Sequence, residues 1–299
     1  MHTTSGRVLA AYVVLCVVWG STYLAIRVGV GELPPALFGG VRFLIAGGLL
    51  LGVARLLGRR LPTRRRDWIT NAVVGFLLLF CGNGLVVWAE QFTPSGVTAI
   101  IVVTVTLWLA LFDAVVPGGR GRPTWRQVLG LLAGFGGTLM LVDADLGALR
   151  GADWRGPLAL TTASAAWAAG SVFSSRRPSE APAEINSALQ MLVGGIALAG
   201  LGLLLGEAGR WHWSPRGVGA LAYLIVFGSL VGYSSYVYVL RHMAPTVAGT
   251  YSYVNTVVAV LLGWAILDEP ITGRTIGAMA IVLGSVAWVR HAGRRAVPG

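Results

Sequence analysis

The sequence predicts an all-α polytopic membrane protein whose ten transmembrane helices form two inverted repeats of five helices each. Composition is the first observation, because 55% of the 299 residues are hydrophobic and only 12% are charged. Soluble domains carry about 25% charged residues. The second observation is that the apolar runs approach the roughly 20 residues that a helix needs to cross a hydrocarbon core. The third is that the two halves of the chain resemble each other.

Ten apolar segments are long enough, or nearly long enough, to span a bilayer. Each is expected to be helical, because lipid offers no hydrogen-bonding partner to an open backbone. The fifth segment is the shortest and is rich in glycine. The predicted spans are Val8–Ile26, Ala36–Leu57, Ile69–Ala89, Ser95–Val116, Val128–Val142, Gly156–Ser175, Ile185–Gly206, Val218–Leu240, Thr246–Leu267 and Thr275–Val289.

The repeat is visible as matching residues at a constant separation along the chain. Trp19 and Trp167 are 148 residues apart, and the same offset places Gly47 opposite Gly195 and Arg42 opposite Gln190. A short polar loop, Arg150–Pro157, separates the halves. We therefore divide the chain into a first repeat over residues 1–150 and a second over residues 151–299.

The arginines in the connections predict the orientation of the chain. An odd number of helices per repeat means that the second repeat enters the membrane from the opposite face, a pattern used by many secondary transporters. All but seven of the 23 basic residues fall on the side that holds both termini, and arginine-rich connections stay in the cytoplasm. Both termini are therefore expected to be cytoplasmic. Arg42 lies within a span, and the other side holds Arg27, Arg150, Arg155, Arg210, Arg216 and Arg274.

Several classes of function are disfavoured by what the sequence contains. The net charge of +11 follows membrane topology, so we expect no nucleic-acid partner. Cys16 and Cys81 both lie in apolar runs, and neither a disulfide framework nor a metal site follows from them. The sequence has no nucleotide-binding or metalloprotease motif. We expect no enzyme activity, no cofactor and no metal.

Four stretches resemble EamA-type transporters of the drug/metabolite transporter superfamily. They are VVWGSTYLAIRVGVGELPPALFGGVRFLIAGGLLL, GNGLVVWAEQFTPSGVTAIIVV, GTYSYVNTVVAVLLGWAILDEPI and GRTIGAMAIVLG. The resemblance covers nearly the whole chain and implies ten helices, two EamA repeats and export of small metabolites across the bacterial inner membrane. One branch, the YddG-type exporters, implies aromatic and other neutral amino acids as substrates.

The chain departs from the family pattern at two positions inside helices. Family members usually have proline where this chain has Thr106 and Thr256. Because proline kinks a helix by removing a backbone hydrogen bond, the resemblance implies hinges in the fourth and ninth helices. The two threonines are the hinge candidates, and they place hinge bending in this chain in question.

Polar residues inside the spans are the candidate substrate ligands, because such groups are costly in lipid and are commonly functional. Arg42 would contact a substrate carboxylate, or it would extend outward or pair with Glu90; we favour the second interpretation. Its repeat mate, Gln190, is neutral. Asn83 and Asn255 would hold the charged groups of a zwitterion, or they would join helices together.

Aromatic residues are the richer group of candidates. Trp19 and Tyr23 lie on one face of the first span, and Trp167 occupies the place in the sixth that matches Trp19. Tyr236 and Tyr253 lie deep within the eighth and ninth spans. An aromatic cavity with sparse polar groups suits neutral, partly apolar solutes.

The sequence therefore favours an exporter of small metabolites, in particular neutral or aromatic amino acids, that works by alternating access through a cavity between the repeats. Export of cationic or hydrophobic drugs is the main alternative, because aromatic cavities hold cations. A carrier of nucleotide sugars would need more cationic groups than Arg42, and a scaffold would not need inverted repeats. We expect a monomer with a small-molecule substrate, the lipid bilayer as its surroundings and no obligatory protein partner.

Overall fold

The computed structural model describes residues 2–91, 93, 95–116, 123–141, 153–267 and 271–295. Helices account for nearly all of this part of the chain, and no strand occurs in it. We number its principal helices α1 to α10. They are α1 (His2–Glu32), α2 (Pro35–Leu56), α3 (Arg65–Ala89), α4 (residues 95–115), α5 (Trp125–Leu141), α6 (Arg155–Arg176), α7 (Ala183–Leu204), α8 (Pro215–His242), α9 (residues 245–267) and α10 (Gly273–Arg295).

Each predicted span coincides with one of these helices, so the all-α fold is confirmed. Most helices extend a few residues past the apolar run, because polar residues at a helix end can reach water. Residue Val142, the predicted end of the fifth span, lies outside the described residues. By length and apolar composition, five helical stretches are sufficient to cross a membrane: Gly6–Glu32, Pro35–Leu56, Arg65–Ala89, Ala183–Leu204 and Pro215–His242. The other helices are shorter, interrupted or less apolar.

The ends of α2 and α7 repeat the same local structure at the 148-residue offset. Pro34 and Pro182 precede the two helices in extended conformations, and Gly58 and Gly206 follow them with φ of 73° and 70°. Glycine adopts this left-handed conformation without the steric penalty that other residues incur. The internal duplication therefore extends to the start and stop signals of these helices.

The two repeats meet where α2 packs against α7, through glycines that let the backbones approach closely. A Cβ atom on Gly195 would lie 2.8 Å from the backbone nitrogen of Leu44, and one on Gly47 would lie 3.0 Å from the carbonyl oxygen of Ala188. Small residues at such crossings allow van der Waals contact between membrane helices. Each of these repeat mates thus packs on the helix of the other repeat.

Corresponding irregularities interrupt the helices that surround the centre of the molecule. The segments Phe76–Asn83 of α3 and Leu224–Tyr233 of α8 are π-helical, and they begin 148 residues apart. In α4 and α9 the helix is broken at Thr104 and Thr250. Regular helical geometry is therefore lost where the repeats face each other, and such irregularities often mark functional positions.

Candidate functional site: a central aromatic cavity

A cavity with a volume of about 100 Å³ lies between the two repeats. Both repeats contribute to its wall. Its lining includes Trp19, Thr22, Arg42, Phe43, Asn83, Ser164, Trp167, Gly228, Tyr233, Tyr251 and Asn255. The structure therefore brings together five of the predicted site residues, Trp19, Arg42, Asn83, Trp167 and Asn255.

Two tryptophans from matching positions form the aromatic centre of this wall. The rings of Trp19 and Trp167 meet edge to face, with centroids 5.5 Å apart. The indole of Trp19 donates a hydrogen bond to the carbonyl oxygen of Gly228 at 3.0 Å. Tyr236 packs against both tryptophans, at 5.3 and 5.4 Å. Both tryptophans are partly buried, and because their N–H groups are hydrogen-bonded, they hold a fixed aromatic surface against a ligand.

Tyr236 supports the cavity from behind. It is fully buried, and its hydroxyl accepts a hydrogen bond from the indole of Trp167 at 3.0 Å and exchanges a second with the hydroxyl of Ser171 at 2.6 Å. Both hydrogen bonds of the Tyr236 hydroxyl are thus made to protein side chains. Tyr236 therefore positions Trp167, which itself reaches the cavity.

Arg42 carries a positive charge into the wall of the cavity. Its side chain is 4% exposed, its Nε donates to the hydroxyl of Ser229 at 2.9 Å, and its guanidinium carbon lies 4.8 Å from the centre of the Phe43 ring. Among the residues that the structure describes, no carboxylate forms an ion pair with it. The expected pairing of Arg42 with Glu90 is therefore absent. Since a buried charge is costly unless paired, the guanidinium is suited to bind an anionic ligand group.

The two asparagines of the cavity have different surroundings. The side-chain oxygen of Asn83 is buried and has no hydrogen-bond partner in the described part of the molecule, so it can accept a bond from a ligand N–H group. Asn255 joins helices instead. With its amide oriented to satisfy its neighbours, its nitrogen donates to the carbonyl oxygens of Tyr251 and Cys16, each at 3.0 Å.

Gln190 lies behind the wall, in a chain of buried hydrogen bonds that begins at the cavity. The hydroxyl of Tyr233 donates to the Gln190 side-chain oxygen at 2.8 Å. The Gln190 amide donates to Asn71 at 2.9 Å, and Asn71 donates to Asn186 at 2.9 Å. Gln190 thus positions Tyr233, which lines the cavity. The prediction that Gln190 contacts the substrate directly is therefore corrected.

The prediction that Tyr253 contacts the substrate is also corrected, because Tyr253 does not line the cavity. Its ring is fully buried among residues of α5 and α10, and its hydroxyl donates to the carbonyl oxygen of Leu131 at 2.8 Å. Tyr251 occupies the cavity wall instead. Residues two apart on a helix point about 200° away from each other, so only one of these tyrosines can face the cavity. The side chain of Tyr23, another candidate, lies outside the described part of the structure.

The two predicted hinge residues lie near the helix breaks but not at them. The break in α4 falls at Thr104, and the hydroxyl of Thr106 contacts α9 beside the other break, with Gly249 O at 3.1 Å and Ser252 Oγ at 2.7 Å. The hydroxyl of Thr256 bonds within α9 to the carbonyl oxygen of Tyr253 at 2.7 Å. Thr106 therefore ties the two interrupted helices together.

The breaks at Thr104 and Thr250 share one geometry. Each threonine hydroxyl donates to the carbonyl oxygen three residues earlier, at 2.5 Å in α4 and 2.7 Å in α9. Each backbone N–H makes the same three-residue bond. Such 3₁₀-like turns inside a helix are common at hinges. The sequence analysis singled out neither residue; Thr104 lies two positions before Thr106, and Thr250 lies six positions before Thr256.

Comparison with known proteins agrees with this architecture. The model of the EamA-like transporter family matches the chain twice, over residues 6–143 and 154–290. The inner membrane transporter YedA of Escherichia coli K12 is 37% identical over 276 residues, which cover 92% of this chain and 88% of YedA. A probable amino-acid metabolite efflux pump of the same organism is 27% identical, over 93% of this chain and 92% of the pump.

A solved crystal structure shares the fold, with a TM-score of 0.78 at 24% sequence identity. The match covers 97% of this chain and 99% of the solved chain. The two copies of the family domain correspond to the two inverted halves that the cavity separates, and the relatives are transporters rather than enzymes. This chain is therefore a two-repeat membrane protein of the EamA-like transporter family.

Proposed function

We propose that this transporter exports small zwitterionic solutes, in particular neutral and aromatic amino acids, from the cytoplasm by alternating access through the central cavity. The observation that carries the proposal is the buried guanidinium of Arg42, which faces the cavity without a carboxylate partner among the described residues. A solute carboxylate would supply the missing negative charge and accept charge-assisted hydrogen bonds.

The rest of the cavity supports the same class of solute. The unpartnered oxygen of Asn83 can accept hydrogen bonds from an ammonium group. The rings of Trp19, Trp167 and Tyr251 offer apolar surface for a side chain. The distantly related efflux pump of Escherichia coli is named for amino-acid metabolites, which lends weight to this substrate class.

Cationic drugs remain the second candidate, because the aromatic rings of the cavity could hold a cation. The positive charge of Arg42 opposes that function, since like charges in a low-dielectric site repel strongly. Nucleotide-sugar carriage fits less well. Among the described residues that line the cavity, Arg42 is the one with a charged side chain.

Transport by this mechanism would be facilitated rather than driven by protons. A proton relay would ordinarily need an ionisable group in the middle of a span, whereas Glu90 and Asp113 both lie near span ends and Asp113 is paired with Arg176 at 2.6 Å. We also expect both termini to be cytoplasmic. Counterflow in proteoliposomes tests the proposal, with labelled phenylalanine, threonine and a quaternary ammonium dye as the probes. We expect counterflow of the amino acids, no counterflow of the dye and no uphill accumulation driven by a pH gradient. Counterflow of the dye alone would assign the drug function.

A further inference from the structure

A second, larger space lies outside the central cavity, between α3 and α4. Both helices pack on α6, which forms the floor of this space, and its volume is about 770 Å³. Leu77 from α3, Phe112 from α4, and Val172 and Phe173 from α6 make its walls apolar. None of its lining residues belongs to the lining of the central cavity. We call this space the α3–α4 groove.

Three arginines line one end of the α3–α4 groove. Arg66 lies in the first turn of α3, and Arg176 and Arg177 lie at the end of α6. Arg176 is held by Asp113, whereas the guanidinium carbon of Arg177 lies 4.8 Å from the centre of the Phe173 ring. In the part of the chain that the structure describes, neither Arg66 nor Arg177 forms an ion pair. Both are exposed and available to bind an anion.

The charges and the apolar walls together match an amphipathic ligand. The groove runs from basic residues at one end of the helices toward apolar residues nearer the middle of the bundle. Water is a poor occupant of the apolar part, because that part offers water few hydrogen-bond partners. A phosphate group would suit the arginines, and basic pockets between membrane helices are known to bind lipid head groups.

We propose that the α3–α4 groove binds an anionic phospholipid, with the phosphate on Arg66 and Arg177 and an acyl chain along Leu77, Phe112 and Val172. The arginine bias of the sequence predicts that this end of the bundle lies at the cytoplasmic leaflet, where anionic lipids are found. The lipid site depends on the membrane location of the chain and not on which solute it transports.

Native mass spectrometry of the purified protein tests this site, with phosphatidylglycerol and phosphatidylcholine as the added lipids. The wild type should bind phosphatidylglycerol at least tenfold more tightly than phosphatidylcholine. Since each arginine near a membrane surface contributes about fivefold in affinity for anionic lipid, Arg66→Gln with Arg177→Gln should lower that affinity about 30-fold. The matched control is Arg59→Gln with Arg60→Gln, which removes equal charge from the neighbouring loop outside the groove. It should change the affinity less than threefold.

A third variant tests the acyl-chain part of the groove. Ala169→Leu would narrow the floor while all arginines stay in place, and it should weaken phosphatidylglycerol binding without a change in the melting temperature of the lipid-free protein. Equal affinity for the two lipids, or equal losses in the groove and control variants, would overturn the site. If glycerol phosphate bound as tightly as the lipid, the groove would be a site for small soluble anions instead.

Discussion

Replacing Arg42 by glutamine tests the role of the buried charge in the cavity. Glutamine retains a polar side chain but removes the positive charge. Because no described carboxylate pairs with Arg42, the substitution leaves no acidic partner unpaired. The folded protein should therefore keep its melting temperature or gain a little, in contrast to the large loss that follows when one member of a buried ion pair is removed.

The expected effect on binding follows from the contact that is lost. A hydrogen bond to a charged group contributes about 1.5–3 kcal/mol, which corresponds to roughly a 10-fold to 150-fold change in affinity. Arg42→Gln should weaken phenylalanine binding within this range. Ser229→Ala removes the hydroxyl that accepts from Arg42 Nε at 2.9 Å. It should weaken binding by about fivefold, the effect of one neutral hydrogen bond of about 1 kcal/mol.

The assay is equilibrium binding of labelled phenylalanine and of phenethylamine, which lacks the carboxylate, to purified protein. Arg42→Gln should weaken phenylalanine binding and leave phenethylamine binding unchanged or stronger. Arg42→Lys is the matched variant that keeps the charge but loses the planar fork of donors. Its affinity for phenylalanine should therefore lie between that of the wild type and that of Arg42→Gln. Unchanged phenylalanine affinity in Arg42→Gln, or equal losses for both ligands, would refute the role of Arg42 as a carboxylate anchor.

Three further predictions address packing, pH and helix bending. Gly232→Ala would place a methyl group 2.3 Å from the indole nitrogen of Trp19, so the indole must move. Tryptophan fluorescence and solute affinity should therefore both change. Unchanged values would show that the contact is unimportant. Burial raises the pKa of Glu90, the residue after α3, from 4.5 to about 7. Stability contributed by the protonated acid should therefore fall as pH rises through 7. Glu90→Gln should show a smaller drop in melting temperature between pH 5 and pH 8 than the wild type, and identical drops would contradict this assignment. Thr106→Pro with Thr256→Pro should change the transport rate more than substrate affinity, and equal effects on both would argue against hinges.

The symmetric features of the molecule were predictable from the sequence. Trp19 and Trp167 were matched by a constant offset, and the structure brings their rings to 5.5 Å. Gly47 and Gly195 were matched in the same way, and each lies where the two repeats pack closely. Such residues are recognisable because duplication preserves their position even when the surrounding apolar residues change.

The direction in which individual side chains point was not predictable where helices depart from regular geometry. The break at Thr250 and the π-helical segment Leu224–Tyr233 rotate the residues that follow them, and apolar residues carry no distinct signal for either feature. Tyr251 was therefore overlooked in favour of Tyr253. Asn71 was overlooked because it lies close to the arginine-rich end of α3, whereas its hydrogen-bond partner Gln190 connects it to the cavity wall.

Counterflow of phenylalanine and phenethylamine into proteoliposomes that contain the wild-type protein tests the central claim most directly. The vesicles are preloaded with unlabelled solute, and labelled solute is added outside. We predict transient accumulation of labelled phenylalanine and none of phenethylamine, because only the amino acid supplies a carboxylate to the cavity. Accumulation of phenethylamine without phenylalanine would contradict the assignment of a zwitterion carrier.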